Sequence, residues 1–387
     1  MASLASITAD ENSDTAKIPA TCVYVGLDVH KDTIVLAARK GDERSEWLLE
    51  ATFVVEDGLN KLIKCLKKLT KHGVVKCCYE ASGAGFVIQR LLTDSGFECE
   101  VIASSLIPSK PGDKRKTDRL DARRLADYYR SGLLTPIAVP SKELEAARGV
   151  VRCRQAIRSK VTQSKNQLTK FLQTKGWAYR DGTAWTTKHR TWLAQLKFND
   201  SLDKFTFDEY LSMLQYLEQR LKDLDAKLEE LANTLFRKPV DILRGFRGVQ
   251  TLTAMVLVTE LGDLRRFPTP RHVMSYVGLT PSVSQSGESR NRSSRITKAG
   301  SARCRHVVVQ AAWNYIRKPQ LASSLKSRQK DSPAWLIEQS WKAQNRLFER
   351  FKHLESTIGK NKAIVAVARE LVGFLAAALQ RTDLSPN

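Results

Sequence analysis

The chain has 387 residues, and 63 Lys and Arg against 41 Asp and Glu give it a formal charge of +22 and a pI near 9.8. That length predicts two or three domains, each able to bury a core, and the charge points to a polyanionic partner, nucleic acid first among them. No apolar run reads as long enough to cross a bilayer, and "MASLASITADENSDTAKIPA" has no signal-peptide hydrophobic region.

Residues 1–20 are polar and without pattern and are predicted to be a disordered tail. "CVYVGLDVHKDTIVLAARKG" reads as two strands joined by a tight turn near His30 to Asp32, and "EWLLEATFVV" as a third. An amphipathic helix ("GLNKLIKCLKKLTKHG"), a short buried strand ("VVKCCYEAS"), a helix ("AGFVIQRLLTDSG"), a strand ("FECEVIA") and a helix starting near Asp118 follow. The order β-β-β-α-β-α-β-α over residues 21–135 predicts an α/β domain with a mixed sheet fed by antiparallel strands.

Residues 136–238 are predicted to be a basic helix and a coiled coil. Leucines at 214, 217, 221, 224, 228, 231 and 235 alternate spacings of three and four, the seam of a coil joining two protomers or of a helical hairpin packed on itself. Residues 239–387 read as a mainly helical domain. Its elements include a helix–turn–helix in "ILRGFRGVQTLTAMVLVTELGD" and, after a short helix, a long Ser-, Arg- and Gly-rich loop. The seven cysteines are odd in number and make no C-x-x-C pair. This fits reduced thiols in a cytoplasm and speaks against zinc or a disulfide framework.

Four carboxylates stand out. Asp118 and Asp121 lie three apart at the start of a helix, side by side on one face, where two charges about 5–6 Å apart repel by roughly 3 kcal/mol at an effective dielectric near 20. Asp28 follows the apolar run "VYVGL", and Glu80 ends the strand "VVKCCYE". Acids at the ends of buried strands require a cation or a partner. Arginines could serve, as in an exposed helix start where Arg119 and Arg124 answer Asp118 and Asp121. Convergence of all four over a sheet would instead make an all-oxygen site for Mg²⁺ or Mn²⁺, able to clamp both oxygens of a phosphodiester exchange.

"YVGLDVHKD", "YEASG" and "KTDRLDARRLA" resemble the three acidic motifs of the DEDD transposases, insertion-sequence recombinases whose first domain is similar to the RNase H-like fold of RuvC-type Holliday-junction resolvases. "YVGLTPSVSQSG" and "RITKAGS" resemble the C-terminal transposase motif of the same family, which includes the pilin-gene invertase. The resemblance implies that Asp28, Glu80, Asp118 and Asp121 carry the metals and that a loop serine is a covalent nucleophile. Ser286 matches that position, with Ser284 as runner-up, because Gln285 stands where relatives often have a second serine. It also implies a structured guide (bridge) RNA pairing with donor and target DNA.

Lys114, Arg115, Lys116, Arg123, Arg124, Arg290, Arg292, Arg295 and Lys298 are the expected phosphate contacts. The expected assembly is a homo-oligomer, a dimer building a tetramer, in the cytoplasm at the nucleoid and away from membranes. "LRGFRGVQTLTA" is similar to a helix–hairpin–helix, although Gln250 stands where glycine is usual. "GLDVHKDT" also resembles the first phosphate loop of sugar-kinase-like ATPases, but no further glycine-rich phosphate motif accompanies it. A metal-dependent, structure-selective endonuclease without a covalent intermediate remains the alternative. A non-catalytic binding protein is disfavoured, since unneeded carboxylates repel phosphate.

Overall fold

The run "CVYVGLDV" is apolar at both alternating sets of positions, the pattern of a strand covered on both faces. In the computed structural model, which describes residues 22–41, 46–108, 117–284 and 292–381, it is the central strand of a five-stranded sheet. The predicted tail, residues 1–20, lies outside the described residues. The chain divides into two compact units, Met1–Val139 and Pro140–Asn387.

In the first unit β1 (Cys22–Val29), β2 (Thr33–Lys40) and β3 (Trp47–Val54) are followed by α1 (Val55–Leu69), β4 (Val74–Glu80), α2 (Val87–Asp94), β5 (Glu98–Ile102) and α3 (Asp118–Arg130). This is the element order predicted. The strands lie in the order β3-β2-β1-β4-β5, with β2 antiparallel to both neighbours and β1, β4 and β5 parallel. It is a mixed α/β, RNase H-like domain. One face of the sheet (Val23, Val25, Leu27, Ile34, Leu36, Tyr79) packs on Leu62 and Leu66 of α1 and Ile88 and Leu92 of α2. Each such side chain fully buried is worth about 1.5–3 kcal/mol. The other face is reserved for α3, whose Ala122 meets Val35 and Ala37 and whose Leu125 meets Cys78.

Gly26 makes that second contact possible. A Cβ at this position would lie 2.1 Å from the Ala122 carbonyl oxygen and 2.5 Å from the Ala126 amide nitrogen, so β1 and α3 touch backbone to backbone. Ion pairs from the sheet fix the helix. Arg39 of β2 holds Asp127 at 2.6 Å, and Glu50 of β3 holds both Arg119 and Arg123.

The second unit is mainly helical: α4 (Lys142–Thr174), α5 (Thr187–Gln195), α6 (Ser201–Asn233), α7 (Arg237–Arg244), α8 (Thr251–Leu261), α9 (Pro270–Val277), α10 (Ala302–Ala312), α11 (Ser323–Arg328), α12 (Ala334–Ile358) and α13 (Lys360–Arg381). α4 and α6 form a long hairpin. Val161, Leu168 and Leu172 meet Phe207, Leu214 and Leu217 at one end, and Val151 shares a core with Leu228 and Ala232 at the other. Leu214, Leu217 and Leu228 of the ladder are therefore buried inside one chain, the hairpin alternative of the two sequence readings. Val240, Phe246 and Leu371 belong to the same core as Val151 and Leu228, so the helices predicted as a separate middle region are continuous with the C-terminal one.

The segment predicted as a long loop after α9 contains two short strands, β6 (Pro281–Ser284) and β7 (Arg292–Ile296), paired antiparallel with Ser284 opposite Arg292. Gly278 leads into it from a left-handed conformation (φ 74°), and a Cβ there would lie 2.2 Å from the Ala299 carbonyl oxygen. The absence of a bilayer-length run also needs correction. Lys360–Arg381 is long and apolar enough to cross a membrane by length and composition. It is instead a core helix, with Ala363, Ile364, Val367, Leu371 and Leu375 buried and Glu370 paired to Arg346 and Arg350 of α12. All seven cysteines are free thiols, and five of them are buried.

Candidate active site

Strand alternation decides which carboxylates share a face. On β1, Gly26 faces α3, so Asp28 does too. On β4, the Cys78 thiol reaches the Leu125 carbonyl of α3 at 3.7 Å, so Glu80 follows onto the same face. The parallel register pairs Leu27 with Tyr79, which puts Asp28 and Glu80 one step further on, at the carboxyl edge of the two strands. α3 starts at that edge. The Thr117 hydroxyl caps the helix by accepting from the Leu120 amide at 3.3 Å, placing Asp118 and Asp121 in the first turn, where the helix dipole favours negative charge.

The side chains that meet are Asp28, His30 and Asp118. Each offers a ligand atom within 4.8 Å of the others. His30 Nε2 lies 3.2 Å from Asp28 Oδ2 and 3.5 Å from Asp118 Oδ1. Asp28 is mostly buried, whereas the side chains of His30 and Asp118 are about half exposed. Burial pushes the Asp28 carboxyl above the ordinary range; His30 opposes that shift, and the charges of Asp118 and Asp121 add to it. Asp121 lies close enough to act on Asp28 but is itself paired with Arg124 at 3.3 Å. Glu80 is exposed at its strand end.

His30 was not singled out in the sequence beyond marking the turn. The signal was its position two residues after Asp28. Its backbone amide donates to the Thr33 carbonyl at 2.9 Å, closing the β1–β2 turn and holding the ring over the acids. Glu50 was also unforeseen. It takes Arg123, whose guanidinium also lies 5.2 Å from the Trp47 ring centroid, so Arg123 and Arg124 both have protein carboxylates as partners. An open groove lined by Thr33, Val35, Thr52, Thr117, Asp118 and Arg119 borders the cluster.

Arg295 and Lys298 are exposed in and beyond β7, and Arg292 stands at that strand's start. Ser286, Lys114, Arg115, Lys116 and Arg290 lie outside the described residues. The turn from Gly245 to Gln250 joins α7 to α8 as a helical hairpin, with Gly248 at φ 78°.

Residues 25–175 match the DEDD transposase model of the IS110 type, described as "Transposase", and residues 240–326 match the "Transposase IS116/IS110/IS902 family". A putative transposase (y4qE) of Sinorhizobium fredii is 35% identical over 358 residues, which is 91% of this chain and 87% of the relative. The transposase for insertion sequence element IS1533 of Leptospira borgpetersenii is 33% identical over 339 residues, 86% of this chain and 96% of that one. The chain belongs to the IS110 family of transposases. It is thus a DEDD-type transposase, an enzyme acting on DNA. The family is normally metal-dependent, and the first unit contains the cluster of Asp28, His30 and Asp118.

Proposed function

We propose that this transposase cuts and rejoins the DNA strands of an insertion sequence through a divalent-metal site at Asp28, Glu80, Asp118 and Asp121 and a covalent intermediate on Ser286. The observation that carries the reading is the meeting of Asp28 and Asp118, from β1 and α3, at the carboxyl edge of the parallel strands of an IS110-family enzyme. The donor set fits a hard divalent ion. Its oxygens belong to carboxylates that otherwise repel, and the most buried of them, Asp28, is pushed by burial towards its neutral form, with His30 opposing that shift. A bound Mg²⁺ or Mn²⁺ would polarise the phosphate and stabilise charge developing on its oxygens.

The residues have separate tasks. Asp28 and Asp118 would hold the ion, and Asp121 and Glu80 would complete its carboxylate surroundings. Arg292, Arg295 and Lys298 flank the serine in sequence and would take phosphate charge. The Ser286 oxygen bonds to phosphorus as the P–O bond to the leaving strand breaks; the hydroxyl proton departs, and the leaving sugar oxygen takes one up. Rejoining reverses this with the hydroxyl of another strand. The ester conserves the phosphodiester bond energy, so no nucleotide hydrolysis is needed. Target choice would rest with a structured guide RNA, and assembly with a dimer building a tetramer. The surplus of Lys and Arg supports nucleic-acid binding on this scale.

The test incubates the full chain with Mg²⁺, donor and target DNA and candidate guide RNA, and looks for a protein-linked strand. Ser286→Ala should bind DNA and give no linked strand; Asp28→Asn should bind DNA and give no exchange. Normal cleavage and rejoining by Ser286→Ala would leave the metal-and-water endonuclease, or Ser284, which Ser284→Ala run in parallel separates.

A further inference from the structure

We infer that His30 is a nitrogen ligand of the metal site, giving it an Asp–His–Asp donor set that favours Mn²⁺ and similar transition ions over Mg²⁺. The inference rests on the carboxylate reading above and adds a donor of a different chemical kind to it. An octahedral ion with bonds of about 2.1 Å places neighbouring ligand atoms about 3.0 Å apart. His30 Nε2 stands 3.2 Å from Asp28 Oδ2 and 3.5 Å from Asp118 Oδ1, close to that edge length on both sides. The third pair, Asp28 and Asp118, offers ligand atoms within 4.8 Å of each other.

The placement is built into the backbone. His30 is the first residue after β1, and its amide donates to the Thr33 carbonyl at 2.9 Å. The next crossing is tied as well, the Val55 amide donating to the Asp32 carbonyl at 2.9 Å. The imidazole is therefore carried on a two-ended tight turn, held in register with Asp28. Asp118 is brought to it by the capped start of α3. A ligand so held loses little freedom on binding.

The chemical consequence follows from the donor type. Mg²⁺ is a hard ion that takes oxygen ligands and keeps water rather than accept nitrogen. Imidazole nitrogen suits first-row transition ions, whose affinities rise from Mn²⁺ onward. Replacing one oxygen position by His30 therefore shifts preference away from Mg²⁺ while leaving room for water or a phosphate oxygen.

The experiment uses the full chain without nucleic acid and Mn²⁺ as the probe. Pulsed electron paramagnetic resonance reads nitrogen-14 modulation on bound Mn²⁺, and calorimetry reads affinity for Mn²⁺ and Mg²⁺. Wild type should show imidazole modulation. His30→Ala should lose it, with Mn²⁺ binding weakened by about tenfold or more and Mg²⁺ binding changed far less. Bound Mn²⁺ lacking nitrogen modulation in wild type, or modulation that persists in His30→Ala, overturns the assignment. If Asp28→Asn then abolishes binding, the carboxylate site stands without His30. Failure of wild type to bind Mn²⁺ or Mg²⁺ overturns both.

Discussion

Gly26→Ala tests the contact on which the acidic site depends. The new methyl carbon would stand 2.1 Å from the Ala122 carbonyl oxygen, 2.5 Å from the Ala126 nitrogen and 2.9 Å from the Leu125 Cβ. Ordinary contact begins near 3.4 Å, so the shortfall at the oxygen is about 1.3 Å. Two of the three obstacles are backbone atoms, which no rotamer change can move, so β1 and α3 must separate. Overpacking of this kind costs about 1–3 kcal/mol, and an obstacle made of backbone belongs at the upper end. For a unit of this size about 3 kcal/mol lowers the melting temperature by roughly 10 °C. The separation also carries Asp118 away from Asp28 and His30. Thermal unfolding of Gly26→Ala should thus fall by about that amount, and added Mn²⁺ should raise its melting temperature less than it raises that of wild type. A variant that melts with wild type and gains the same metal stabilisation would show that α3 does not lie on Gly26, and the geometry of the site would fall with it.

Two further outcomes are expected. The hydrogen bond from Arg123, with Arg119 adding, holds the Glu50 carboxyl below the ordinary range against the opposing effect of burial. Its stabilisation is therefore full above the unfolded glutamate value of about 4.3 and is lost as pH falls through the lower folded value. Glu50→Gln should melt below wild type at pH 7, with the gap closing in acid, and a gap that stays constant down to about pH 3 would refute the pairing. Leu228 is 2% exposed in the core that holds Val151 and Ala232. Leu228→Lys should cost more than the 2–5 kcal/mol typical of truncating a buried leucine and lower the melting temperature at every protein concentration. Unchanged melting with altered sedimentation would instead identify the ladder as a contact between protomers.

What the sequence made legible was what one-dimensional pattern controls. Runs such as "CVYVGLDV" and "VVKCCYE" are too apolar and too short for anything but buried strands, and the acid ending each run is conspicuous for its cost. Asp118 and Asp121 were legible because helical spacing alone makes them neighbours. β6 and β7 were not, since "PSVS" and "RSSRI" are short, polar and without an alternating apolar face. The leucine ladder was legible as a seam but not as to its partner, because spacings of three and four serve α4 of the same chain as well as a second copy.

His30 shows where pattern stops being sufficient. Its place two residues after Asp28 is its one signal along the chain; the role itself arises from a turn that ends β1 and from a helix that begins 88 residues later at Asp118. Gly26 is the same case from the other side, a residue whose lack of a side chain matters only because Ala122 comes to lie on it. Both features are consequences of α3 running back along β1. If one register brings Asp118 to His30 and Ala122 to Gly26 together, then disturbing either contact must disturb the other. The Gly26 variant, which removes no donor atom, should therefore lose the nitrogen signature of His30 on bound Mn²⁺ along with its stability.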